Sequence, residues 1–109
     1  MAARVLCVDD EQGFVDALAE RLRLRGYRAA ACYDGESALA RVREEPFDVL
    51  VLDVLMPGRT GLEVIEELVA ARPGLQIILL TGQGSVESAV TGMKLGAADY
   101  LQKPVDIAD

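Results

Sequence analysis

A chain of 109 residues with 51% apolar and 27% charged side chains fits one globular domain, and its two cysteines cannot build a disulfide framework. It contains no histidine, which excludes every mechanism that needs imidazole from this chain as base, metal ligand or phosphoryl carrier. Eleven Lys and Arg against eighteen Asp and Glu leave a net charge of -7, the wrong sign for direct contact with nucleic acid or an anionic membrane surface. The first apolar run, Val5 to Val8, stops at Asp9, too short for a signal-peptide core or a transmembrane helix; a cytoplasmic location with reduced thiols is expected.

That run predicts the first strand. A helix follows, marked by Phe14, Leu18 and Leu22 on one face and stopped by Gly26. Tyr27 to Cys32 predicts the second strand, and Ala38, Leu39 and Val42 a shorter helix entered through Asp34-Gly35 and left before Pro46. Val49 to Leu52 is the third strand, Leu62, Ile65 and Leu68 mark the third helix, and Pro73-Gly74 ends it. Ile77 to Leu80 is the fourth strand, Val86, Val90 and Met93 the face of the fourth helix, and Gly96 its stop. Ala98 to Leu101 is the fifth strand. Residues 105–109 could only begin a fifth helix, which is expected to be truncated or missing. Repeated βα units with short connections demand a parallel sheet with right-handed crossovers and helices on both faces.

In open sheets of this class the site lies outside the carboxyl ends of the strands. Asp9-Asp10 follow the first strand, Asp53 the third, Thr81-Gly82 the fourth and Lys103-Pro104 the fifth. If the first and third strands are neighbours, three carboxylates converge, and like charges that close are costly unless a cation sits among them. Oxygen ligands without His or Cys select a hard ion, Mg²⁺ above others. A nucleophile follows by elimination. Ser and Thr have no histidine to activate them, Cys7 and Cys32 read as core, and a deprotonated Asp needs no base to attack phosphorus. Asp53 stands alone on its strand end, whereas Asp9 and Asp10 form a pair suited to holding the ion. Thr81 and the Lys103 ammonium would contact the phosphoryl oxygens.

Taken singly, each of these residues also has a plainer reading. Asp9-Asp10 could cap a helix, Asp53 or Thr81 could open a turn, and Lys103 could be a solvated lysine; their combination favours a site. Gly82-Gln83-Gly84-Ser85-Val86-Glu87 imitates a dinucleotide-binding loop but lacks its third glycine and follows the wrong strand, so it reads as a loop and helix cap. Arg21, Arg23, Arg25 and Arg28 read as a solvated face near the end of the first helix.

The blocks VLCVDDE at 5–11, DVLVLDVLMPGRTGLE at 48–63, IILLTGQGS at 77–85 and GAADYLQKPV at 96–105 resemble, in order, those of response-regulator receiver domains of two-component signalling. The resemblance spans the chain up to Pro104 and is closest to regulators that drive sigma-54 transcription ATPases. It implies a doubly wound, flavodoxin-like sheet of five parallel strands in order 2-1-3-4-5, and one receiver domain over 1–109 lacking most of its last helix. It further implies that Asp53 is the phosphoacceptor, that Asp10, Asp53 and the Leu55 carbonyl hold Mg²⁺ with Asp9 assisting through water, and that Thr81 and Lys103 clasp the phosphoryl group. A cis peptide before Pro104, structural roles for Pro57 and Gly61, and a Tyr100 rotamer that follows Thr81 complete what it implies.

The expected function is a switch, not a turnover enzyme, with slow self-dephosphorylation. Its donor is a phosphohistidine on a sensor kinase or phosphotransfer protein, and its output passes through the surface of the fourth helix and fifth strand to an effector domain absent from this chain. Two rivals remain: a phosphorylation-independent interaction module of the same fold, and an aspartyl-phosphate Mg²⁺ phosphatase, whose nucleophile would instead follow the first strand. Without a full last helix, an apolar strip beside the fifth strand should be bare, so a dimer, a swapped segment or poor solubility is expected.

Overall fold

A computed structural model of the chain describes residues 2–54, 61–82 and 86–103. Its elements run β1 (Arg4–Val8), α1 (Gln12–Leu24), β2 (Arg28–Cys32), α2 (Gly35–Glu44), β3 (Val49–Asp53), α3 (Gly61–Ala71), β4 (Gln76–Thr81), α4 (Val86–Leu95) and β5 (Asp99–Gln102). All neighbouring strands pair in parallel, in the order β2-β1-β3-β4-β5. The reversal of direction between β1 and β3 is the switch point the sequence demanded, since β2 returns to one side of β1 and β3 crosses to the other. Strand boundaries differ from expectation by one or two residues: Tyr27 falls outside β2, and Asp53 and Thr81 are the last residues of their strands.

The apolar runs of β1, β3 and β4 are continuous because both of their faces are covered. Leu6 and Val8 join Leu39, Val42, Ile65 and Leu68 in the larger core under α2 and α3, while Val5 and Cys7 turn the other way onto Val15, Leu18 and Ala19 of α1. This alternation along one strand is the period of two that places successive side chains on opposite faces. β2 and β5 are the edges, and all four residues of β5 are exposed. Leu101 is registered with Leu80, whose side chain belongs to the α1-side core, yet Leu101 is 42% exposed. The expected start of a fifth helix, at 105–109, lies outside the described residues.

Helix ends follow local chemistry. The Asp34 side chain accepts from the Ser37 amide at 2.7 Å, capping α2. α1 and α4 each stop at a glycine of positive φ, Gly26 at 95° and Gly96 at 127°, where the amides of Tyr27 and Ala97 reach back to the Leu22 and Gly92 carbonyls. Gly61 opens α3. Leu55, Pro57, Gln83 and Pro104 lie outside the described residues. No helix among the described residues is long and apolar enough to cross a membrane.

Candidate phosphoacceptor site

Each residue singled out at a strand end is pinned by the strand beside it. The Asp9 amide donates to the Cys32 carbonyl of β2, the Val54 amide to Leu80 of β4, and the Lys103 amide to Thr81 at 2.7 Å. The consequence is a small cluster on the carboxyl edge. Asp9, Asp10 and Asp53 each offer a carboxylate oxygen, and these oxygens all lie within 4.8 Å of one another. Asp9 is wholly buried, Asp53 is 5% exposed and Asp10 faces solvent.

Three carboxylates so close repel, and a lysine offsets part of that repulsion. Lys103 Nζ lies 2.6 Å from Asp9 Oδ2, 3.1 Å from Glu11 Oε1 and 3.8 Å from Asp53 Oδ2, with the Phe14 ring centroid 4.8 Å away. Burial pulls the Lys103 ammonium down, but hydrogen bonds to Asp9 and Glu11 and the charge of Asp53 outweigh it, so its pKa is raised above the ordinary lysine value. The ammonium is therefore a fixed positive charge of the site. Asp9 Oδ1 accepts from the Glu11 amide at 3.0 Å, which shapes the turn into α1. Asp9 Oδ2 is buried, and the ammonium is its close polar contact among the described residues. A carboxylate oxygen has two lone pairs, so this one contact leaves it able to face a second cation. Oxygen donors alone, two of them on buried residues, suit a hard divalent ion of the Mg²⁺ or Ca²⁺ kind.

Thr81 is wholly buried, and its hydroxyl donates to the Leu101 carbonyl at 3.4 Å, long for a bond between oxygens. Tyr100, the preceding residue on β5, is 36% exposed. The structure thus brings Asp9, Asp10, Asp53 and Lys103 together and sets Thr81 at the end of the neighbouring strand, two residues' register from Tyr100.

Two neighbours escaped sequence reasoning. Glu11 contacts Lys103 across 92 positions of chain, and Phe14, an apolar marker of the helix face, also lies under the ammonium. The plainer capping role for Asp9-Asp10 does not describe them: the residue before α1 is Glu11, whose side chain makes no cap bond.

The family model for the response regulator receiver domain matches residues 5–109. The chain belongs to this family. Among curated relatives, it is 39% identical over 105 residues to the probable transcriptional regulatory protein TcrX of Mycobacterium tuberculosis, covering 96% of this chain and 45% of TcrX. It is 42% identical over 102 residues to the transcriptional regulatory protein ZraR of Salmonella typhimurium, covering 94% of this chain and 23% of ZraR. The receiver chain therefore spans less than half the length of either relative. A solved response regulator from Burkholderia pseudomallei, with a phosphorylated aspartic acid, a calcium ion and citrate, superimposes with a TM-score of 0.90 at 32% identity, over 96% of this chain and 62% of that one. This receiver is thus a domain of the kind found in two-component response regulators that act on transcription.

Proposed function

We propose that this receiver is a phosphorylation-dependent switch in which Asp53 takes a phosphoryl group from a phosphohistidine of a sensor kinase or phosphotransfer protein. The observation that carries the proposal is the convergence of the Asp9, Asp10 and Asp53 oxygens within 4.8 Å beside the Lys103 ammonium. A carboxylate oxygen of Asp53 attacks phosphorus, the P–N bond to the donor imidazole breaks, and the electron pair leaves on the imidazole nitrogen. The donor ring must come from the partner, because this chain has no histidine.

Mg²⁺ fits the donor set, with Asp10, Asp53 and the Leu55 carbonyl as ligands and Asp9 acting through water. Bound there, it would neutralise the phosphoryl oxygens as they approach the acidic cluster. The calcium ion and phosphorylated aspartate of the Burkholderia protein support both assignments. Lys103 holds positive charge 3.8 Å from Asp53 and orients toward the incoming oxygens. Thr81 exchanges its long bond to the Leu101 carbonyl for a bond to the phosphoryl group, which draws its side chain inward and lets Tyr100 turn from its half-exposed position. Val90, Met93, Tyr100 and Leu101, all exposed, make the α4/β5 surface that reports the change to an effector domain or to a second copy. A transcriptional effector accords with the longer relatives, and the blocks at 77–85 and 96–105 favour the sigma-54 type. Asp53 closes the third strand, not the first, which speaks against the phosphatase alternative.

Acetyl phosphate with Mg²⁺ tests the proposal. The wild-type chain should acquire a hydroxylamine-labile acyl phosphate that Asp53→Asn lacks. Failure of both acetyl phosphate and beryllofluoride to perturb the wild-type spectrum would replace the switch with a phosphorylation-independent interaction module.

A further inference from the structure

The amino ends of the strands carry a second charged feature, of opposite sign to the acidic cluster. Arg4 opens β1 and Arg28 opens β2, and the two are partners in the parallel register. With Arg23 from α1 and Arg41 from α2 they line a cleft of about 350 Å³ that also includes Tyr27 and Phe47. Strands of five residues put this cleft roughly 16 Å from the carboxyl edge where Asp9 and Asp53 sit.

Four guanidiniums gather here in a chain whose net charge is -7, and the cleft's own acids do not cancel them. Glu45 serves two at once, accepting from Arg4 Nη2 at 2.9 Å and from Arg41 Nε at 3.0 Å. Asp48 takes the Arg4 backbone amide at 2.8 Å, not its side chain. Arg23 Nε donates to the Ala29 carbonyl at 2.9 Å, and Arg28 has no carboxylate partner among the described residues.

Three of the four groups are nonetheless held in place. Arg4 and Arg41 lie over the Phe47 ring at 5.1 and 5.5 Å, and Arg23 is fixed on the edge of β2. A guanidinium has five N–H donors, so these contacts leave donors unspent on groups whose ordering is already complete. Fixed, planar forks with free donors are the chemistry that recognises phosphate oxygens in pairs. The face reads in the sequence as a solvated run of arginines, yet the fold turns part of it inward on a concave surface.

We propose that this cleft binds a small anion bearing a pyrophosphate group, at a site remote from the phosphoacceptor. The two sources of that chemistry are inorganic pyrophosphate and a nucleoside diphosphate. For the second, the half-exposed Tyr27 is the ring open to a base, since Phe47 is buried beneath two guanidiniums.

The test is a titration of the full 109-residue chain, followed by amide NMR shifts, with pyrophosphate, ADP and adenosine, each without divalent metal. Saturable shifts are expected at Arg4, Arg23, Arg28 and Arg41 and not at Asp9 or Asp53, and they should weaken as salt is raised. Pyrophosphate binding as tightly as ADP identifies the free anion; tighter ADP binding with added shifts at Tyr27 identifies the nucleotide. Arg28→Gln changes an exposed residue and should leave the spectrum of the free chain intact while weakening binding about tenfold, the order expected for loss of one charged hydrogen bond. Arg28→Glu should abolish binding. Unsaturable shifts, shifts centred on the acidic cluster, equal binding of adenosine, or an unchanged affinity in both Arg28 variants would overturn the proposal.

Discussion

Replacing Asp10 by Asn isolates the electrostatic strain of the acidic cluster. Asp10 faces solvent, forms none of the hydrogen bonds or ion pairs that hold the site, and has a carboxylate oxygen within 4.8 Å of those of both Asp9 and Asp53. Each of those pairs repels by ~3.5 kcal/mol at an effective dielectric of 20 and by ~0.9 kcal/mol at that of water. Exposure places Asp10 nearer the second limit, so two relieved pairs should stabilise the metal-free chain by about 1–2 kcal/mol. For a domain of this size that raises the melting temperature by roughly 4–8 °C. Melting followed by circular dichroism in EDTA and again in saturating Mg²⁺ checks both halves of the reasoning. In EDTA the variant should melt above the wild type. In Mg²⁺ the wild type should gain stability through binding to the folded state while the variant gains less, so that the gap narrows or inverts. A variant that melts lower in EDTA, or an equal gain for both proteins in Mg²⁺, would refute the account of the cluster as repulsion awaiting a divalent ion.

Three further outcomes follow from local geometry. Gly96→Ala should cost about 1–3 kcal/mol, because the backbone sits at φ 127° and a Cβ there would come 3.0 Å from Val69 Cγ2, whereas Gly13→Ala within α1, with open space around it, should add up to about 1 kcal/mol; urea titration separates the two. Burial pushes the Cys7 and Cys32 thiols up, to about 12 and about 11, so neither should react with a disulfide reagent at neutral pH until the chain unfolds. Because the unfolded thiols ionise near ~8.5, stability should fall as pH rises past that value, and alanine at both positions should remove the fall. Lys103 adds a second alkaline step: its raised pKa means its contribution is complete below ~10.4 and is lost as pH climbs through the folded value, a step Lys103→Gln should lack in denaturation curves collected from pH 9 to 12.

The parts legible in the sequence are those where backbone position alone decides the outcome. A parallel strand order and the rule that sites lie at carboxyl ends suffice to bring Asp9, Asp10 and Asp53 to one edge, because each is within two residues of its strand's end. The contacts of Lys103 with Glu11 and Phe14 depend instead on how one long side chain crosses the gap between β5 and α1, and no periodicity encodes that. The arginine cleft was equally hidden. Its four cations are scattered over residues 4 to 41, and only the pairing of β1 with β2 sets the first beside the third.

The two charged regions follow from one property of the parallel sheet. Every strand runs the same way, so residues just before the strands and residues just after them are sorted to opposite ends of the molecule. Acids at the carboxyl ends and arginines at the amino ends of β1 and β2 therefore do not neutralise each other, although the chain has enough of both to form surface pairs. Separated by roughly 16 Å, beyond a Debye length of ~8 Å at physiological salt, they can be occupied by a cation and an anion independently. If so, Arg28→Gln should leave acyl-phosphate formation at Asp53 unchanged while weakening pyrophosphate binding, and Asp53→Asn should do the reverse. Cross-effects in both directions would mean that the sheet couples its ends, and that the cleft belongs to the switch itself.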